Sequence, residues 1–319
     1  VQGAAGLRVP ARDMFEGVLL RIWEEVLGVA GLGVLDRFFE VGGHSLLAAK
    51  LVDAVERETG CRVPLTSMFV DDTVAGMARA LRDGAPQASG PIVVVRAEGT
   101  RPPFVFLHGD FAAGGFYSRN LALALGDDQP ALIVHPHGLL DARVPDTIEV
   151  MAAERVDALV ATRPSAAYVL GGHCNGALVA FEMARQLAVR GHRVPLIVLI
   201  EAQAPRERSG EPGGDGGFVR VGTGGGAQLL SARDRASELD LKFRHAIDRY
   251  QGAPWSGRVA VIQAADRDRG SADAGWTRLA PDLEAHRVPG DHVTLITRHM
   301  AELASVVRGA IDRALEDRR

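Results

Sequence analysis

Cysteine is scarce in this chain. Only Cys61 and Cys174 occur in 319 residues, far apart in sequence. So few thiols argue against a disulfide framework or a zinc site, and no metal is expected. They also fit a reducing, cytoplasmic compartment. Long hydrophobic runs are missing too. No stretch approaches the ~20 apolar residues of a membrane span, so no membrane partner is expected. Nor is there a charge excess. The net charge of −4 leaves no footprint for a nucleic-acid partner. Residues 1–10 lack a basic n-region and an apolar core, so no signal peptide is expected. The chain opens on Val1 rather than Met, which suits either a piece of a longer polypeptide or removal of a tag.

What is present is a globular composition, 47% hydrophobic and 24% charged, in a length that suits two domains or one large one. The first part, residues 11–84, reads as a small helical bundle. Phe15, Val18, Leu19, Ile22 and Val26 recur at helical spacing. A second helix should begin near Ser45 and carry Leu46, Leu47, Leu51, Val52 and Val55. Asp72 precedes Thr73, Val74, Met77, Ala78 and Leu81, which predicts an N-capped third helix. The composition then turns to a linker over 83–91, centred on 85–91.

From residue 92 to 319, short β-rich runs alternate with helical stretches. Strands are predicted at Ile92–Val95, Phe104–Leu107, Leu132–His135, Tyr168–Gly171, Leu196–Ile200, Val259–Gln263 and Leu283–Val288. Helices are predicted at Thr147–Ala161, Ala177–Arg190, Ala236–Tyr250 and from Val293 onward. The alternation predicts an α/β fold, with a mostly parallel sheet flanked by helices. A Gly-rich, charged segment at about 204–235 interrupts it. It reads as a lid insertion over a pocket, or more plainly as a surface loop.

The run Gly172-His173-Cys174-Asn175-Gly176 stands between a strand and an apolar helix. A nucleophile on a sharp strand-to-helix turn needs very small residues two positions either side, where strand and helix meet. Helix N-termini favour thiolate and oxyanion. Cys174 is therefore the candidate nucleophile, and the Asn175 backbone N–H one candidate oxyanion donor. The plainer alternative is a buried structural cysteine.

A nucleophile needs a base, and the base an orienting acid. His292 follows the last predicted strand in Pro289-Gly290-Asp291-His292 and is the candidate base. His286 reads as packing and His299 as helical. Glu201, at the end of Leu196–Ile200, is the candidate acid, with Asp266 and Asp268 as rivals. The loop from His108 to Gly115 should offer the second oxyanion donor, the N–H of Asp110 or Phe111. His108, His135, His137 and His173 read as shaping residues.

In the helical part, Ser45 follows Gly42-Gly43-His44 where a helix begins. A phosphate ester there would sit on the positive end of the helix dipole. An N-cap serine is the plain alternative. The run Asp36–Ala48, with Ile22-Trp23 and Val26-Leu27-Gly28, resembles the peptidyl carrier domains of nonribosomal peptide synthetases. That resemblance implies a four-helix carrier bundle over 11–84. It also implies a 4′-phosphopantetheine arm on Ser45, attached by a phosphopantetheinyl transferase, and upstream condensation and adenylation domains.

The second part, 92–319, resembles the type I thioesterase domains that end such assembly lines. The resemblance rests on the His108-Gly109-Asp110 loop, Pro136-His137-Gly138, the Cys174 turn, Phe181–Leu187 and Gly290-Asp291-His292. It implies an α/β-hydrolase fold and release of a peptidyl thioester. Most members have Ser at the Cys174 position and Asp at the Glu201 position. Three functions stay open: chain-releasing thioesterase, acyltransferase to an external nucleophile, and a non-catalytic carrier module.

Overall fold

The computed structural model describes residues 8–59, 67–82, 90–109, 117–138, 143–205, 232–266, 273–292 and 294–316. The helical part contributes α1 (Met14–Leu27), α2 (Ser45–Thr59), α3 (Ser67–Val70) and α4 (Val74–Arg82). Asp13 caps α1 by accepting the Glu16 N–H, and Gly28 ends it in the left-handed conformation. The apolar stripe read from the sequence packs inward. Leu19, Ile22 and Trp23 bury against Phe38, Leu51, Val55 and Met77. Trp23 meets Phe38 edge-on at 5.1 Å, and its indole N–H reaches the Met77 sulfur at 3.5 Å.

One capping expectation needs correction. The cap of α4 is Thr73, whose hydroxyl accepts the Gly76 N–H at 2.9 Å. The Asp72 carboxylate is drawn elsewhere, to Arg37 Nη2 at 2.6 Å. A buried charge takes a charged partner over a neutral amide.

The second part is a seven-stranded sheet: β1 (Ile92–Arg96), β2 (Phe104–Leu107), β3 (Ala131–Val134), β4 (Val169–His173), β5 (Ile197–Ile200), β6 (Val259–Ala264) and β7 (Leu283–Val288). Their order is β1-β3-β2-β4-β5-β6-β7, parallel throughout except for β1, which runs antiparallel to β3. The helices are α5 (Tyr117–Ala124), α6 (Ile148–Thr162), α7 (Asn175–Val189), α8 (Ala232–Arg249), α9 (Thr294–Thr297) and α10 (Met300–Glu316). This is the α/β-hydrolase architecture foreseen from the alternation of strands and helices.

The continuous apolar runs are explained by burial on both faces. Val105, Leu107, Leu170, Ile197 and Leu199 face α6 and α7. Phe104, Phe106, Val169, Val198 and Ile200 face α5 and α10. Within α7, buried Glu182 accepts hydrogen bonds from Tyr250, Arg185 and Gln186. Two helices went unread in the sequence. The four residues of α3 are too short for a period. The helix α5 follows a Gly-rich loop without a local start signal in the described residues. Of the lid expected at about 204–235, residues 206–231 lie outside the described residues, as do 83–89 of the linker.

Candidate active site

The site is built where β4 gives way to α7. Cys174 links them with φ 53° and ψ −125°, a backbone state rare for any residue with a Cβ. Such strain costs on the order of 1–3 kcal/mol and is held by its surroundings. Here the restraint is visible. A Cβ on Gly172 would lie 2.6 Å from the Ala177 Cα, and one on Gly176 would lie 2.5 Å from the Leu107 carbonyl. Both contacts are with backbone, which cannot step aside cheaply. Gly176→Ala should therefore destabilise the protein by about 1–3 kcal/mol. A thermal melt unchanged within error would refute that close approach.

His292 and Glu201 come together across 91 residues of chain. His292 Nδ1 lies 3.1 Å from Glu201 Oε2. Glu201 is 4% exposed. Its other oxygen accepts the Ala264 N–H at 2.7 Å, which fixes the carboxylate plane. Glu201, like Cys174, has a positive φ, 52°. The His292 loop is pinned by Asp291, which accepts the Thr294 N–H at 2.8 Å, while its own N–H donates to the Thr294 hydroxyl at 2.7 Å.

His292 is exposed at 46% of its side chain and pairs with Cys174 on one side and Glu201 on the other. These hydrogen bonds, the one to Cys174 foremost, raise its pKa to about 9. At neutral pH the ring therefore carries its proton. The sulfur then accepts a hydrogen bond from imidazolium, and the same proton is available to a leaving group. Cys174 is a free, half-buried thiol.

Of the other histidines and acids weighed, His286 lies in β7 and pairs with Glu284 at 3.5 Å. His299 pairs with Glu302 at 3.8 Å. Asp266 meets the His292 loop through its backbone N–H, which donates to the Gly290 carbonyl. Asp268 lies outside the described residues.

His173 has a larger place than its sequence suggested. It is buried and stacks on His292, with ring centroids 4.8 Å apart and planes at 29°. Its Nδ1 pairs with the Tyr117 hydroxyl at 2.8 Å. Burial first, then the nearby His292, push its pKa down to about 3. His173 is thus a neutral plate against the ring that holds the proton. The available signal was its place directly before Cys174; the stacking itself is a tertiary contact. His108 and His135 form a buried pair at 2.9 Å, and His137 binds Glu154 at 2.9 Å, consistent with shaping roles.

Asn175 opens α7, so its N–H belongs to a helix N-terminus beside the thiol. The loop expected to supply the second donor begins against it. A Cβ on Gly109 would lie 2.9 Å from the Asn175 nitrogen. Asp110 and Phe111 lie outside the described residues. Among the described residues no cluster of His, Cys, Asp and Glu could hold a metal ion.

In the helical part, α2 begins at Ser45. Gly43 presses on Phe38 so closely that a Cβ there would lie 2.3 Å from the ring. Gly42 has φ 103°. The tight turn delivers Ser45 to a helix start, where a phosphodiester on a serine oxygen fits the dipole. The chemistry of the position suits the phosphopantetheine arm.

A parallel sheet with a strained thiol turn between strand and helix defines an α/β-hydrolase-type protein. Residues 103–311 match the thioesterase domain family, and the chain belongs to that family. Residues 17–81 match the phosphopantetheine attachment site family. Chondramide synthase of Chondromyces crocatus is 30% identical over 97% of this chain, which spans 9% of that protein. A four-domain nonribosomal peptide synthetase in its holo form, bound to AMP and glycine, matches 98% of this chain with TM-score 0.58. At 24% identity, over 27% of that chain, it is a likeness of fold. The NocB thioesterase domain of the nocardicin cluster matches 69% of this chain and 98% of its own, at 25% identity and TM-score 0.55. The chain is thus a thioesterase joined to a phosphopantetheine carrier. Among the described residues no helix is long and apolar enough to cross a membrane.

Proposed function

We propose that this chain is the terminal carrier–thioesterase pair of a nonribosomal peptide synthetase, with Cys174 as the nucleophile. The working division is carrier 11–84, linker 85–91 and thioesterase 92–319. The observation that carries the reading is the hydrogen-bonded line Glu201–His292–Cys174, in one chain with a phosphopantetheine attachment site. Upstream condensation and adenylation domains, a phosphopantetheinyl transferase and a cytoplasmic setting complete the proposal.

The arm on Ser45, when attached, supplies a thioester on a long flexible tether. The tether gives the acyl group a high effective concentration at Cys174. With the thiol proton taken by His292, Cys174 Sγ attacks the thioester carbonyl. The oxyanion is received by the Asn175 N–H and a donor from the loop at Asp110. As the carrier C–S bond breaks, His292 gives its proton to the leaving sulfur. The acyl group is then bonded to Cys174. Neutral His292 next takes a proton from water, or from an amine or hydroxyl of the chain. The new C–O or C–N bond forms, and Cys174 is released. Glu201 holds Nδ1–H throughout and balances the imidazolium charge.

Cysteine in place of the usual serine has an energetic consequence. Transfer from one thiol to another conserves the activation of the acyl group, whereas an intermediate on serine is a less activated oxoester. We infer release by aminolysis or closure of a strained ring, both of which profit from a retained thioester. Cys174→Ser should shift product from amine-derived toward hydrolysed acid. Equal product and rate in the two enzymes would refute this second reading.

The test of the function is intact-protein mass spectrometry after loading an octanoyl group on Ser45. Acyl mass should appear on Cys174 and then vanish, with acid released. Appearance only on an added external amine would favour an acyltransferase. Acyl mass that stays on Ser45 would favour a non-catalytic carrier module.

A further inference from the structure

The first turn of α5 touches both halves of the chain. Tyr117 reaches His173, directly before Cys174. Two residues on, Arg119 points the other way, and its Nη2 lies 3.7 Å from Asp72 Oδ1 of the helical part. Both side chains are removed from water, Arg119 at 12% exposure and Asp72 at 1%. Burial lowers the Arg119 pKa from its ordinary value, and Asp72 is the chief group opposing that.

Asp72 is in turn tied to the loop that leads to Ser45. Its carboxylate takes Arg37 at 2.6 Å, and its carbonyl accepts the Phe38 N–H at 2.7 Å. The Phe38 carbonyl then accepts the Gly43 N–H at 2.9 Å, two residues before Ser45. Arg37, Glu40 and Asp71 are the other charged groups near the pair. Met68 of α3 belongs to one packed cluster with Val93 of β1 and Ile133 of β3. A continuous set of contacts therefore runs from the attachment loop, through Asp72 and Arg119, to the turn of α5 that touches the Cys174 elbow.

We propose that the Asp72–Arg119 pair is a docking clasp that seats the carrier on the thioesterase in the orientation that delivers the acyl group. The proposal rests on the carrier–thioesterase reading above. The physical reason is the cost of a buried charge. Arg119 is desolvated when the carrier is seated, and Asp72 compensates it; an undocked carrier leaves Arg119 to water. Removing or reversing one partner penalises the docked state and spares the undocked one. An apolar replacement of Arg119 leaves buried Asp72 with Arg37 as its remaining partner, a smaller penalty than a reversed charge.

The experiment uses the whole chain, with octanoyl loaded on Ser45 through its arm, and octanoyl-N-acetylcysteamine as a soluble thioester that needs no carrier. Arg119→Glu, which sets two carboxylates together, should slow carrier-delivered transfer at least about tenfold. It should leave soluble-thioester turnover within about twofold, since Arg119 touches neither thiol nor imidazole. Amide exchange in β1 should rise. Arg119→Met, which leaves Asp72 with Arg37 alone, should also slow transfer from Ser45, by more than about twofold but less than Arg119→Glu does. Unchanged carrier-delivered transfer in Arg119→Glu overturns the clasp. So does an equal fall on both substrates, which would make Arg119 a support of the site itself. Failure of the unaltered chain on both substrates would instead overturn the underlying thioesterase reading.

Discussion

Cys174→Ala stops acyl transfer: turnover of the Ser45-borne thioester falls on the order of 10⁴-fold or more, and acyl mass remains on Ser45. The substitution is a clean one. Alanine keeps the Cβ, so the positive φ at this turn is no more strained than before. The glycines on either side keep their close backbone contacts. What is lost is the sulfur, and with it both the nucleophile and the larger of the hydrogen bonds to His292. Helix and loop amides remain to polarise a carbonyl, so slow hydrolysis by water survives as a residue. Intact-protein mass measurement and single-turnover release give the result together. Release at the original rate would place the nucleophile elsewhere.

Glu201→Gln is expected to lower turnover by about 10²- to 10⁴-fold with the fold intact, because it inverts the His292 tautomer. Glu201 Oε1 accepts the Ala264 N–H, so the carbonyl oxygen of Gln stays there. Its NH₂ group then faces His292 Nδ1 as a donor. Nδ1 must accept, the proton moves to Nε2, and the neutral ring can no longer take a proton on the side of the thiol. The pH behaviour follows the same geometry. His292 titrates near 9, so the imidazolium proton needed by the leaving sulfur is present below that pH and lost above it. Turnover should fall as pH rises through about 9. The stabilisation His292 gains from its partners is fully present below its unfolded value, near 6.5, and disappears through the same upper window. NMR titration of the ring should show a lower pKa in Glu201→Gln. Cys174→Ala should lower it further, since the sulfur is the larger cause. The reverse order of the two shifts would contradict this account.

Much of the architecture was legible from short-range pattern. The inner parallel strands were readable because buried strands are largely apolar runs, and Phe104–Leu107 matches to the residue, as does the more polar edge strand Leu283–Val288. Helices with full periods, such as the one carrying Leu19, Ile22 and Trp23, were equally visible. The helix α5 was not, and that omission hid the contacts of Tyr117 with His173 and of Arg119 with Asp72. The capping of α4 was misplaced by one residue, for a reason lying outside the helix: Asp72 serves Arg37 and Arg119.

The sequence by itself determined the strained turn at Cys174 and the helix start at Ser45. Each is a local motif whose glycines meet a local steric demand, and the neighbouring contacts at Gly172, Gly176 and Gly43 account for them. Only the tertiary structure decided which carboxylate faces His292. The sequence put Glu201 ahead of Asp266 and Asp268 by its place at a strand end, but chain order carries no distance to the ring. The turn at Glu201, with its positive φ and the Ala264 N–H behind it, aims one of them at the ring. The same holds for His173 under His292 and for Asp72 beside Arg119. These contacts join segments far apart in the chain, where no period of 2 or 3.6 residues carries information, and only packing brings them within reach.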